Sequence, residues 1–457
     1  MAAQILAICI FVGMFLLIIL DKFERYYITL ASGALVLALV FGVCMHSMSA
    51  IWGTLNLPSI FTSGFWYGAS EEGNSGINWS TIFFIAGMMI MVEGLGKAGF
   101  FRWLCLTLAK LVRYRIVPLL VCFMVLSAVL SAVLSMFIDS ITVVLFLATV
   151  TLELAQTMKF NPIPMILSEV FCANLGGAAT MCGDPPNIIV GTSLGYTFFD
   201  FISNTGVAVA ICFVLVLIYF VLCFRKRLLR DEKNSGAAVC PQPGTAITNR
   251  PAFLLSAGVF LLAVILLATH AQTKLTVACI GVIVAALSLV VIGCTSGGKA
   301  VLEIIKGVDY KTLLFFIGLF VSVAGLKETG VLDVIARFIT TVSGGNAAII
   351  VVIILWISAV TSAFVDNIPF AATMIPVVRS IAAASGIDMG VLAWALSLGT
   401  DLGGNATPIG ASANVVGTSV AAKGGYPIRW GVYCKYCVGA TVLVIAVSMG
   451  YLFLRYL

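Results

Sequence analysis

Charge is what this chain most lacks. Of its 457 residues only 10% are Asp, Glu, Lys or Arg, against roughly 25% in a soluble globular domain. Histidine occurs twice, and the thirteen cysteines are scattered without paired CxxC motifs at zinc-ligand spacing. A bound metal is therefore not expected, and most of the cysteines read as small apolar residues within helices. The net charge of +6 follows the membrane rather than forming a basic patch, which excludes nucleic acid as a partner. No basic segment precedes the first apolar run, so that run is expected to be a retained span rather than a cleaved signal. Gly293 to Lys299 spells the frame of a phosphate-binding loop, but Ala300 replaces the Ser or Thr that would hold Mg²⁺, and no strand precedes it. An intramembrane aspartyl protease would need its acid in a Gly-x-Gly-Asp setting, whereas Asp184 follows Met-Cys-Gly. The chain is not expected to be an enzyme.

What is present is apolar sequence, 61% of the whole. A membrane-crossing helix needs about 20 such residues. Ala2–Leu20, Ile28–Met45, Trp79–Glu93 and Val207–Phe224 read as spans, as do Ala252–Ala268, Leu275–Ile292, Tyr310–Gly325 and Trp430–Leu454. Residues 47–78 read as a loop whose Trp52, Trp66 and Tyr67 suit the headgroup level. Phe100–Val112 and Leu332–Thr341 are amphipathic and read as interfacial helices. Two stretches, 116–158 and 347–384, are apolar but carry polar residues near their middles, and are expected to be re-entrant helical hairpins. Two more, 162–196 and 388–420, are broken by Gly, Pro and Asn and are expected to be discontinuous helices.

The hairpins and the broken helices recur at one fixed interval. SAVLSMFIDSI (Ser131–Ile141) and SAVTSAFVDNI (Ser358–Ile368) match at seven of eleven positions, Asp139 pairing with Asp366. LGGAATMCGDPPN (Leu175–Asn187) and LGGNATPIGASAN (Leu402–Asn414) match at seven of thirteen, and the same shift that carries Asp139 onto Asp366 carries Asn187 onto Asn414. The sequence thus predicts an all-α polytopic membrane protein of two repeats, 1–224 and 252–457, joined by a flexible hydrophilic linker, 225–251. Each repeat has five crossings, one of them discontinuous, plus one hairpin. An odd number of crossings inverts the second repeat relative to the first. The distribution of Lys and Arg puts the linker in the cytoplasm and the N-terminus outside.

Inverted hairpins and broken helices bring helix ends together at mid-depth, where free N–H groups can hold an anion and carbonyls or carboxylates a cation. The candidate ligands are Asp139, Thr142, Asp366 and Asn367 at the hairpin tips, with Asn174, Thr180, Asp184, Asn187, Asp401, Asn405, Thr407 and Asn414 in the breaks. Acids inside a bilayer are costly and point to function. Asp184 has no acidic counterpart, since Ala411 stands at its twin position, and Asp401 is twinned with Asn174. Glu93, Glu153 and Glu169 read as paired, interfacial or packing residues, and His46 and His270 as solvated span ends.

GDPPNIIVGTS (Gly183–Ser193), SAFVDNIPFAATMIPV (Ser362–Val377) and LGGNATPIGASANVV (Leu402–Val416) resemble the ion transporter superfamily. Within it they are similar to the arsenite permease and NhaD-type antiporter group, and most like its pink-eyed-dilution P protein branch. The resemblance runs along essentially the whole chain. It implies a scaffold domain that forms a homodimer in the lipid bilayer of a bacterial-type cell membrane. It also implies a transport domain of hairpins and broken helices that moves as an elevator. No cofactor is implied beyond a coupling H⁺ or Na⁺, the latter near Asp139 and Asp366. The tips read Ile-Asp-Ser and Val-Asp-Asn where the dicarboxylate branch has Ser-Asn-Thr, which turns the expectation away from dicarboxylates. Efflux of arsenite, antimonite or another small inorganic anion comes first. Na⁺/H⁺ antiport and Na⁺-coupled uptake of a citrate-like organic anion are the alternatives. Cys172 and Cys182 lie near a break, but Cys182 is twinned with Ile409 and reads as packing.

The topology is tested at the linker. In a variant that keeps only Cys240, a membrane-impermeant thiol reagent added to intact cells is expected to leave the protein unlabelled; strong labelling would overturn the orientation.

Overall fold

Backbone in hydrocarbon must satisfy its N–H and C=O groups within its own segment, which only helices and closed barrels achieve. The apolar runs of this chain accordingly become helices. The computed structural model describes residues 2–20, 23–68, 76–131, 140–181, 183–234, 242–247, 249–364 and 367–457. Among them the only strand-like pairing is one isolated bridge between Tyr67 and Leu275.

In the first half run α1 (Ala2–Leu20), α2 (Arg25–Leu35, prolonged as a π-helix over Val36–Cys44), α3 (Trp79–Lys97) and α4 (Phe100–Leu111). The hairpin arms α5 (Ile116–Val129) and α6 (Ser140–Met158) follow, then the broken helix α7 (Ile163–Gly177) and α8 (Pro185–Leu194), and α9 (Val207–Asn234). The second half repeats the order as α10 (Arg250–Ala268), α11 (Val277–Ser296), α12 (Tyr310–Glu328) and α13 (Val331–Val342). Its hairpin arms are α14 (Ala347–Ser362) and α15 (Asn367–Ser385), its broken helix α16 (Met389–Gly403) and α17 (Ser412–Lys423), and its last helix α18 (Trp430–Tyr456). Local chemistry sets several of the starts. Asn78, Asn249, Asn346 and Asp388 each accept a hydrogen bond from a backbone N–H in the first turn of the helix that follows.

The packing has the same two-fold character as the sequence. α3 lies along α11 as α12 lies along α2. The first hairpin arm packs on the first part of its own broken helix, α5 on α7 and α14 on α16. The second arm packs on the second part of the other repeat's broken helix, α6 on α17 and α15 on α8. Each hairpin is therefore held partly by the opposite repeat, and α9 and α18 meet where the two halves join. A large apolar core runs through both halves of the chain, with a smaller cluster of Val144, Ala148, Leu152, Ile166, Val170, Ala173, Ala413 and Ala421 between α6, α7 and α17.

Seven helical segments among the described residues are long and apolar enough to cross a membrane. The first arm of the second hairpin is not: with 16 residues it reaches about 24 Å at 1.5 Å per residue, short of the ~30 Å hydrocarbon core.

Two expectations need correction. Residues 47–78 are not a plain loop: Met48–Leu55 and Ser63–Trp66 are helical, with a 3₁₀ turn at Leu57–Phe61. The first of these is started by the Ser47 hydroxyl, which accepts from the N–H of Ala50. The linker does not begin at Arg225 either, because α9 continues to Asn234. Its polar turns still bury Leu228, and Asp231 accepts a hydrogen bond from the N–H of Asn161 at 3.2 Å.

The hairpins approach the broken helices closely enough to exclude any side chain at two twin glycines. A Cβ on Gly176 would stand 2.2 Å from the Ala128 carbonyl oxygen, and one on Gly403 2.3 Å from the Ala359 Cα. Both obstacles are backbone and cannot rotate away. Gly403→Ala is expected to lower the thermal midpoint of the purified protein and its yield, since overpacking of this kind costs about 1–3 kcal/mol. Gly450→Ala, where the space is open, serves as the control and should match the parent in a thermal unfolding assay.

Candidate functional site

Breaking α7–α8 and α16–α17 frees backbone carbonyls that must be re-bonded away from water. One asparagine does this in each repeat. The Asn414 side-chain nitrogen donates to the carbonyls of Gly404 and Thr407, both at 2.8 Å. The Asn187 nitrogen donates to those of Gly177 and Thr180, both at 3.2 Å. The two sets are the same atoms at twin positions, one set in each repeat. The side-chain oxygens then reach across the repeat boundary. Asn414 accepts from the amide of Asn174 at 2.8 Å, and Asn174 also donates to Asn405 at 2.9 Å. Asn187 accepts from the hydroxyl of Ser397 at 2.5 Å. Thr407 donates its hydroxyl to the Ala363 carbonyl, and Ser362 donates to that of Thr400, fixing the first arm of the second hairpin to its broken helix.

Asp184 gathers the hairpins. It precedes α8 and is 4% exposed. One carboxylate oxygen accepts from Ser140 at 3.2 Å and the other from Asn367 at 2.7 Å. Ser140 and Asn367 are twins, each the first residue of a second hairpin arm. A single acid of the first repeat thus holds the starts of both second arms. Asp401, on α16, is completely buried near Asp184 and Asn187. The Asn187 side chain faces its carboxyl, but neither oxygen has a partner at hydrogen-bond geometry among the described residues, and the same holds for the side-chain oxygen of its twin Asn174 and the nitrogen of Asn405.

Nine of the predicted residues meet at this centre or in its walls: Asn174, Thr180, Asp184, Asn187, Asn367, Asp401, Asn405, Thr407 and Asn414. Asp139 and Asp366 lie outside the described residues; each directly precedes a residue bound to Asp184. Thr142 falls in the first turn of α6, its side chain also outside what is described. Cys182 is likewise outside. Sequence reasoning missed Ser140 and Ser397. The first carried a signal, since it is the twin of Asn367; the second did not, because Val170 is its twin.

Of the acids ranked lower, Glu153 pairs with Arg102 at 2.7 Å, and Glu93 stands 3.9 Å from Lys97, all partly exposed. Glu169 differs. It is wholly buried away from the breaks, accepting from Thr151 on α6 at 2.5 Å, while Ser127 on α5 donates to its backbone carbonyl at 2.6 Å. It ties the first hairpin to α7. Among the described residues no three His, Cys, Asp or Glu side chains group as a metal site, although Cys434 and Cys437 form one CxxC on α18.

Comparison with known proteins agrees with this architecture. An uncharacterized transporter of Mycobacterium bovis is 33% identical over 455 residues, covering 99% of both chains. A 46 kDa membrane protein of Mycobacterium leprae is 33% identical over 461 residues with the same coverage. The mouse P protein is 27% identical over 83% of this chain, which spans 54% of that longer protein. Two solved structures share the fold at low identity: the YdaH transporter of Alcanivorax borkumensis and MtrF of Neisseria gonorrhoeae. The first has a TM-score of 0.52 at 16% identity, covering 82% of this chain and 84% of that one. The second has 0.55 at 13%, covering 88% and 84%. The family model for CitMHS, described as citrate transporter, matches residues 15–399. On that match, and on relatives that align from end to end, the protein belongs to the CitMHS family of membrane transporters.

Proposed function

We propose that the chain couples the movement of a small anion to a proton or sodium gradient, with Asp401 and Asp184 taking the coupling ion. One observation carries this reading. The buried acids among the described residues are Glu169, Asp184 and Asp401, and no Lys, Arg or His is buried with them. An isolated charge in a low-dielectric interior costs several kcal/mol or more. Asp401, without a hydrogen-bond partner among the described residues, therefore calls for a proton or a small cation. Because that ion would sit between elements of both repeats, its arrival and departure would change how the hairpins are held. This is what coupling to alternating access requires.

The twin contacts and the short arm α14 support inverted repeats with re-entrant hairpins, and the family resemblance carries the reading of elevator motion on a homodimeric scaffold. For the anion, arsenite and antimonite stay on the test panel beside citrate, which the family description names. Among the described residues no three His, Cys, Asp or Glu side chains group to favour trivalent arsenic. The acid-only interior also favours a second reading, Na⁺/H⁺ exchange without another substrate. Purified protein in liposomes, given imposed pH or sodium gradients and offered arsenite, citrate or sodium, separates these. Saturable flux of one anion that vanishes without the gradient supports the first reading. Sodium–proton exchange with no anion flux supports the second, and gradient-independent, non-saturating flux would sink both.

Asp401→Asn is expected to fold and to unfold at the same or a higher temperature, because it removes an unpartnered buried charge, while gradient-driven flux falls about 100-fold or more. Wild-type coupled flux in this variant would refute the role. Asp366→Asn is expected to stay inserted, since Asn caps a helix about as well as Asp, but to lose gradient-driven transport. Asp139→Asn should be similar or milder. Retention of pH- or sodium-dependent flux by Asp366→Asn would leave the coupling to Asp401 and Asp184.

A further inference from the structure

The two-fold frame makes any difference between twin contacts informative, and the largest lies at the far ends of the broken helices. At one end, Leu152 on α6 packs against the end of α17. It belongs to the dry cluster that includes Ala413 and Ala421, and its side-chain carbons lie where a Cβ on Gly424 would be, 2.7 Å away. At the other end, in the second repeat, the twin of Leu152 is Arg379 on α15. Its guanidinium donates to the Ser193 carbonyl at the end of α8. There the two helices border a cavity of about 980 Å³, open between α8 and α15 on one side and α3, α11 and α12 on the other. Ser193 is itself the twin of Val420, which packs on the dry cluster. The same contact is thus apolar and closed on one face of the molecule, and polar and open on the other.

We infer that this cavity is a binding site for a small anion, held by Arg379 together with Lys274, and confined to one face because Leu152 seals the other. Of the five N–H donors of a guanidinium, one has an acceptor among the described residues. The acceptor is a helix C-terminal carbonyl, a weaker partner than a carboxylate or oxyanion, which a guanidinium can bind bidentately. Lys274, on the loop before α11, also lines the cavity and makes no ion pair among the described residues. Lys327 adds a third positive charge. The acids of the described lining are Glu328, next to Lys327 in the chain, and Asp333, which accepts from Ser380 at 2.7 Å. An arginine in an apolar hairpin arm is costly, and its twin shows that leucine serves the packing. An anion that takes the guanidinium would also loosen α15 from α8, so that occupancy of the cavity is felt by the second hairpin. The inference rests on the reading that the cargo is an anion, and it makes the cavity the place where that anion is first caught.

The test uses the full chain, purified in detergent, with citrate and sulfate as probes and glycerol as a neutral control. Thermal unfolding and tryptophan fluorescence report binding. The parent is expected to be stabilised by either anion but not by glycerol, and less so at high ionic strength. Arg379→Gln and Lys274→Gln should each weaken the apparent affinity about tenfold or more, and Arg379→Lys less than Arg379→Gln. In liposomes the same variants should raise KM with the maximal rate within about twofold. A purely structural arginine predicts the opposite split: Arg379→Gln lowers the unfolding temperature and leaves anion affinity unchanged, which overturns the site. So does a parent that neither anion stabilises. If binding behaves as expected but no gradient drives anion flux, the site stands and the anion-transport reading fails.

Discussion

A helix interrupted inside hydrocarbon has to find partners for the carbonyls it releases, and everything else at this centre follows from how that is done. Asn187 and Asn414 each spend one amide nitrogen on two carbonyls of their own break. That leaves a side-chain oxygen facing the other repeat, to be met by Ser397 or by Asn174. Closing the breaks and joining the repeats are therefore one set of hydrogen bonds. Losing either asparagine would orphan buried carbonyls, at about 1–3 kcal/mol for each unsatisfied group.

On this symmetric frame the chemistry is asymmetric. Position 184 is an acid where its twin, 411, is alanine; position 401 is an acid where its twin, 174, is an amide; position 379 is a cation where its twin, 152, is leucine. A symmetric protein could hold two hairpins equally. Here the acid at 184 binds the starts of both second arms, while the acid at 401 is left without a hydrogen-bond partner among the described residues. Two nearby carboxyl groups, one occupied and one open, form a centre whose electrostatics change with a single proton or cation. The hairpins are held by the opposite repeat through α6 on α17 and α15 on α8, so under the proposed function an ion bound here would bias the packing of the whole helical bundle.

Much of this was legible in the residues. Low charge and long apolar runs required a helical membrane protein, because no other backbone arrangement open to such segments satisfies itself in lipid. The constant shift between the repeats, the one that carries Ser131 onto Ser358, fixed which hairpin tip and which break were equivalent. Eight predicted residues lie at the breaks for that reason: Gly, Pro and Asn within an apolar run mark where a helix stops and polar groups must gather. The asymmetry at 184 and 401 was also readable from the aligned repeats.

What only the tertiary structure decided is who meets whom. A repeat says that Ser140 and Asn367 are equivalent, not that both converge on Asp184, because the hydrogen bonds cross between elements far apart in the chain. The partner of Asn187, Ser397, left no trace in the alignment, since a contact across the pseudo-two-fold boundary need not be duplicated. The continuation of α9 to Asn234 was hidden by its charged composition; burial of Leu228 sustains a helix that composition alone reads as linker. The open cavity at Arg379 and the dry seal at Leu152 likewise come from packing. The sequence determined that the two ends of the molecule differ in residue type, and only three-dimensional contact decided which of them is closed.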